Sequence, residues 1–224
     1  MEIERRTVPA DGYEIPALVI TPDRPVGAAV ILPGYGGNRE EFAGLGWRVA
    51  EAGLAACIID LRGHGEHPLP LDTGICEDVE AAIRSCRTFG KVTAIGHSLG
   101  GRLALISSAD FHIGISPSLS RTYGERTQEM LKTLRGYRVH PPDLGAILAV
   151  QAALPVWESR GNAPDTLVIC GERDVPEIVQ ECRALETSGV KTVRVPGGMH
   201  SDIFLLEPTF IAIRKQIGFW YRPQ

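Results

Sequence analysis

The chain has 224 residues, 44% hydrophobic and 22% charged, with a formal net charge of −4. That length fits one large domain, or at most two small ones, at roughly 100–200 residues per domain; the apolar content excludes a disordered chain, and the mildly acidic balance argues against a nucleic-acid partner. No span approaches the roughly 18 uninterrupted apolar residues of a membrane helix, and the opening MEIERRTV lacks an apolar signal-peptide core, so the expectation is a cytoplasmic protein with no membrane partner.

Short β-branched runs occur at 15–21, 28–32, 55–61, 92–95, 112–115, 166–170 and 192–195. Several are apolar at every position, as in AVIL and ACIID, which is the pattern of strands buried between two helical layers. A further strand precedes the first run across a hairpin-length connection at Asp11–Gly12, which predicts an antiparallel edge. Helical periodicity spans 40–51, 75–87, 99–109, 177–188 and 208–221. Within 75–87, Val79, Ile83 and Cys86 form an apolar stripe, with Glu77, Asp78, Glu80 and Arg84 expected to face away.

Strand alternating with helix predicts an α/β fold, a mostly parallel central sheet with helices on both faces. The stretch 116–161 breaks the rhythm, with no convincing strand but helical segments at 122–134 and 143–154. It is expected to be a small helical cap, residues 117–161, inserted between two strands of a single domain spanning 1–224. The five cysteines, at 57, 76, 86, 170 and 182, make an odd count with no CxxC pair. They are expected to be reduced, buried thiols.

The most informative stretch is KVTAIGHSLGGRLAL, 91–105, where a β-branched strand meets Gly96-His97-Ser98-Leu99-Gly100 and a helix follows at once. On so tight a strand-to-helix turn, the positions two before and two after the serine crowd its backbone, so glycine is needed at 96 and 100. The turn lifts the Ser98 hydroxyl clear of the sheet and leaves the Leu99 N–H unpaired at the helix start. Dinucleotide and phosphate loops do not fit. Arg39 and Pro68 stand where a dinucleotide fingerprint needs its third glycine, and Arg102-Leu103 where a phosphate loop needs Lys then Ser or Thr. No cofactor is expected.

A serine needs a base, and the base an orienting acid. Of six histidines, His200 lies in the glycine-rich PGGMHSD loop after the last strand and is the choice for the base, whereas the His97 side chain should point away from its neighbour Ser98. The strand TLVIC delivers Asp174 as the choice for the acid, with Glu172 as rival; the alternative role for Asp174 is to cap the helix near Pro176. A second oxyanion donor is expected from the loop LPGYGG, with the Tyr35 amide the first candidate.

Taken together, LPGYGG (32–37), DLRGHGE (60–66), GHSLGG (96–101), GERD (171–174) and GGMH (197–200) resemble the α/β-hydrolase family over nearly the whole chain. The resemblance implies Ser98 as nucleophile, His200 as base, Asp174 as acid, and the Tyr35 and Leu99 amides as the oxyanion hole. It implies two-step acyl transfer by a carboxylester hydrolase acting on a small-molecule ester; if the apolar face of the cap lines the pocket, the acyl or alcohol part is small to medium and largely apolar. A thioesterase or peptidase on the same machinery, or a catalytically silent ligand-binding member, are the alternatives.

Pro33 and Glu66 depart from the common family pattern, and the resemblance offers no role for Glu66. His64 and His67 beside Glu66 are too few for a metal site, so no metal is expected. In the cap, the apolar face of Leu144, Ile147, Leu148 and Leu154 suits either core packing or a substrate pocket. Arg121, Arg126, Arg135 and Arg138 suit either a solvated face or an anion.

Overall fold

The computed structural model describes residues 1–158 and 163–222, and in it each apolar run becomes a strand. β1 (Glu2–Pro9) and β2 (Glu14–Thr21) form an antiparallel hairpin, and β2 lies antiparallel to β4 (Leu54–Ile59). β3 (Gly27–Leu32) lies parallel between β4 and β5 (Val92–His97). β6 (Phe111–Ile115), β7 (Thr166–Gly171) and β8 (Thr192–Val195) continue the parallel set. The sheet order is β1-β2-β4-β3-β5-β6-β7-β8, the mostly parallel sheet with an antiparallel edge that the sequence predicts.

The sheet is covered on both faces because its central strands have no polar face to leave wet. Along β3, Ala28, Val30 and Leu32 join one core, and Ala29 and Ile31 the other. The first core takes Val79 and Ile83 of α2 (Ile75–Cys86) and Leu103 of α3 (Leu99–Ile106). The second takes Leu45 and Val49 of α1 (Ala43–Glu51) and Ile213 and Ile217 of α7 (Glu207–Trp220). α6 (Pro176–Thr187) lays Ile178 and Cys182 against Val168 and Cys170 of β7.

Two expectations need correction. Asp78 does not face solvent with Glu77; it is fully buried, its carboxylate accepting from Arg62 Nε at 3.2 Å and the Tyr13 hydroxyl at 2.7 Å. A carboxylate is tolerated inside when paired and hydrogen-bonded in this way. Nor are all five cysteines reduced: Cys170 and Cys182 form a disulfide, their Cα atoms 6.5 Å apart, within bridging range. The pair meets only because α6 folds back onto β7, a contact with no signature in the cysteine spacing. Cys57, Cys76 and Cys86 are free, with Cys76 only half-buried.

Between β6 and β7 lie α4 (Glu125–Met130), a π turn (Leu131–Arg135), a 3-10 turn (Gly136–Arg138) and α5 (Leu144–Ala153). The first helical run starts later than the expected 122, beyond Gly124 and without a side-chain cap, and continues through the π and 3-10 turns past the expected end at 134, whereas Asp143 caps α5 by accepting from the Gly145 N–H. The expected end of the insertion, at 161, lies outside the described residues. Among the described residues no helix is long and apolar enough to cross a membrane.

Candidate active site

Ser98 stands between β5 and α3 at φ 55°, ψ −115°, a left-handed φ that costs a non-glycine residue of order 1–3 kcal/mol. The surrounding backbone holds it there. Its N–H donates to the Ile115 carbonyl at 3.0 Å, and its own carbonyl accepts from the N–H groups of Arg102 at 3.1 Å and Ser118 at 3.0 Å. The predicted role of the glycines is plain in the packing. A Cβ on Gly96 would strike the Gly100 carbonyl, and one on Gly100 would strike the carbonyls of Leu32 and Pro33.

The His200 imidazole bridges Ser98 and Asp174, its Nε2 3.0 Å from Ser98 Oγ and its Nδ1 2.8 Å from Asp174 Oδ1. A carboxylate only accepts, so Nδ1 carries the proton and the Nε2 lone pair faces the serine hydroxyl. Burial opposes ionisation of Asp174, but hydrogen bonds from His200, the Ser116 hydroxyl and the Val175 N–H outweigh it, holding the carboxyl below its ordinary range. Asp174 does not cap α6, whose N-cap is Val175 with proline in the first turn. Glu172, the rival acid, accepts from the Gly197 N–H at 3.3 Å instead.

His97 does point away from Ser98, yet it is not idle. Its ring packs 4.7 Å from that of His200 and 4.9 Å from Phe204, and Nε2 lies 2.8 Å from the His200 carbonyl. A carbonyl cannot donate, so His97 donates to the backbone of the residue that bridges Ser98 and Asp174. Burial first, then the neighbouring His200, pushes its pKa down to about 3, so the ring is neutral and keeps this tautomer at neutral pH.

The loop after β3 carries Tyr35, and neither its N–H nor that of Leu99 meets a protein acceptor among the described residues. Asp60 fixes that loop, accepting from the Arg39 N–H at 2.8 Å and from its guanidinium. Glu66 takes the other end of the same guanidinium at 2.5 Å and donates its own N–H to Asp60 at 2.9 Å. Both turns are thus clamped together. This gives Glu66 the role the motif comparison lacked. His64 and His67 face inward, His64 Nδ1 donating to the Arg62 carbonyl at 2.9 Å and His67 Nε2 lying 3.5 Å from Asp78.

Ser98 and His200 open into a pocket of about 780 Å³, with Tyr35, Phe42, Met130, Leu131, Met199 and Phe204 among its apolar walls. The expected apolar cap face is not among them. Ile147 and Leu154 are buried in the core instead. Arg126, Arg135 and Arg138 do line the pocket, whereas Arg121 lies outside it and donates to the Ala152 carbonyl.

Residues 29–212 match the profile of the alpha/beta hydrolase family. The chain belongs to that family. Several solved structures share its fold. An esterase of Pyrobaculum calidifontis aligns over 98% of this chain and 84% of its own, at 22% identity and a TM-score of 0.69. Est1E from Butyrivibrio proteoclasticus aligns over 96% of this chain and 99% of its own at 19% identity and TM-score 0.69, and has also been solved with ferulic acid bound. A predicted CIB-like hydrolase from Thermoplasma acidophilum aligns over 99% of both chains at 13% identity and TM-score 0.66. At such identities the likeness is one of fold. No curated protein matches the chain.

Three site contributors of this α/β-hydrolase escape the sequence reading: Ser116 beneath Asp174, His97 behind His200, and the Arg39 clamp. Only His97 had a visible cue, its place beside Ser98.

Proposed function

We propose that this α/β-hydrolase is a serine esterase that cleaves a carboxylic ester through an acyl-enzyme. The observation carrying the reading is the single imidazole hydrogen-bonded to Asp174 on one side and facing the Ser98 hydroxyl on the other. His200 Nε2 takes the Ser98 proton as Oγ attacks the ester carbonyl carbon, and Asp174 stabilises the resulting imidazolium. The Tyr35 and Leu99 N–H groups hold the oxyanion, each such donor being worth about 2.7–4 kcal/mol of barrier in a comparable site. His200 then protonates the departing alcohol, and water repeats the cycle on the acyl-enzyme.

The apolar walls and the volume of the pocket support a small to medium acyl or alcohol group, and the early part of the insertion, which brings Arg126, Thr127, Met130 and Leu131 to that pocket, acts as a cap within one domain. The Pyrobaculum calidifontis esterase of the same fold supports ester over amide cleavage. Location belongs to the same reading: three free thiols fit the cytoplasm, whereas a disulfide such as Cys170–Cys182 is rare there. A fluorophosphonate should label Ser98 stoichiometrically, read by intact-protein and peptide mass. Ser98→Ala should lose the label and about 10⁴-fold or more of esterase kcat. An unlabelled wild type would sink the reading.

A further inference from the structure

Although the whole chain is net negative at −4, its pocket is rich in guanidinium groups. Arg126, Arg135, Arg138 and Arg173 line it, against Glu41, Glu177 and the Asp174 already engaged by His200. Glu41 is occupied by Arg138, whose Nη1 lies 2.5 Å from its carboxylate and 3.2 Å from the Gly36 carbonyl. Glu177 accepts from the Thr127 hydroxyl at 3.3 Å. Among the described residues the guanidinium groups of Arg126, Arg135 and Arg173 have no ion pair and no hydrogen-bond acceptor; of the three, only Arg135 is half-buried, Arg126 and Arg173 being exposed.

A close backbone approach fixes where Arg135 sits. Gly36 has φ 73°, and a Cβ there would come within 2.8 Å of Arg135 Cβ and 3.1 Å of its Cδ. The arginine stem therefore lies on the glycine next to Tyr35, whose N–H faces the reacting carbonyl in the mechanism above. Its charge reaches the other side of the site too. Burial is the chief cause of the low proton affinity of His97, and Arg135 adds to it, so the guanidinium is within electrostatic reach of the residue preceding Ser98.

A partly desolvated, unpaired cation is unfavourable until an anion meets it. The planar guanidinium fork matches a carboxylate with two parallel hydrogen bonds. We propose that the natural substrate is an ester bearing a free carboxylate, and that Arg135 binds that carboxylate while Arg126 and Arg173 draw anions towards the mouth. This inference rests on the esterase reading and refines its apolar substrate into an amphiphilic one.

The test compares matched ester pairs differing by one carboxylate. The 4-nitrophenyl ester of adipic acid monoanion against 4-nitrophenyl hexanoate places the charge on the acyl side; the butyrate of 4-hydroxybenzoate against phenyl butyrate places it on the alcohol side. In one pair, the anionic member should be preferred by about tenfold or more in kcat/KM at low salt, the scale of a charge-assisted hydrogen bond. The preference should shrink as ionic strength rises, fall towards unity in Arg135→Ala, and invert in Arg135→Glu.

A wild type that turns over both members of both pairs equally overturns the proposal and leaves the esterase reading standing; this arm needs no variant to fold. A wild type that hydrolyses none of the four and resists fluorophosphonate overturns the esterase reading itself. A preference that survives Arg135→Ala and disappears in Arg126→Ala or Arg173→Ala overturns the assignment to Arg135.

Discussion

The segment between β6 and β7 contains two structures of opposite character. Its later half is bound into the core. Arg102, fully buried in α3, donates to the carbonyls of Ser120, Gln151, Leu154 and Pro155 at 2.8–3.3 Å. Gln151 in turn donates to the Ser118 and Ser120 carbonyls at 3.1 and 2.7 Å, and Ile147, Val150 and Leu154 join the main apolar cluster. In the earlier half, α4 buries none of its residues, and Arg126, Thr127, Met130 and Leu131 face the pocket. One half is core supplied by an insertion; the other is a wall with little at stake in stability, where side chains are free to answer to a substrate.

The sharpest way to break this contrast is Arg102→Met, which leaves several buried carbonyls without a donor. We expect a loss of about 3–5 kcal/mol in unfolding free energy by urea titration. A loss below about 1 kcal/mol would mean that the later half is not anchored as described.

A second prediction concerns the junction of the halves, where Val139 bridges to His64 and the His140 N–H donates to the Gly63 carbonyl at 2.8 Å. Burial pushes the His64 pKa down to about 4 and that of His97 to about 3. Both folded values are depressed below an unfolded value near 6.5. As pH falls from about 6.5 to 4, the unfolded chain therefore gains protons that the folded chain refuses. Stability should fall on acidification by up to about 1.4 kcal/mol per pH unit for each histidine. Asp174, also depressed, adds a loss of the same sign only below the ordinary carboxylate range. Urea titrations at several pH values check this, and His64→Asn should remove about one proton from the slope; an unchanged slope would contradict the burial argument.

The smallest effect belongs to the pocket wall. Met130→Ala should change unfolding free energy by less than about 1 kcal/mol, while shifting the preferred acyl chain length in a series of 4-nitrophenyl esters. A stability loss as large as that of Arg102→Met would erase the distinction.

The same contrast explains what the sequence could disclose. The parallel sheet was readable because runs such as AVIL are apolar on both faces, a local property. The Ser98 turn was readable because its steric demand acts within five consecutive residues. Asp174 and His200 were placed by loop order, and they do meet at 2.8 Å. The hidden features are those made by distant chain segments. The burial of Asp78 depends on Arg62 and Tyr13, the fate of Cys170 on α6, and the division of the insertion on a buried arginine that reads, in sequence, like any helix surface charge.

The Cys170–Cys182 bond closes a ring of chain around Asp174, from the end of β7 through the first turns of α6. The carboxylate that accepts from the His200 imidazole is thus carried on a covalent loop. A backbone break anywhere within that loop would leave both ends tethered and the protein in one piece.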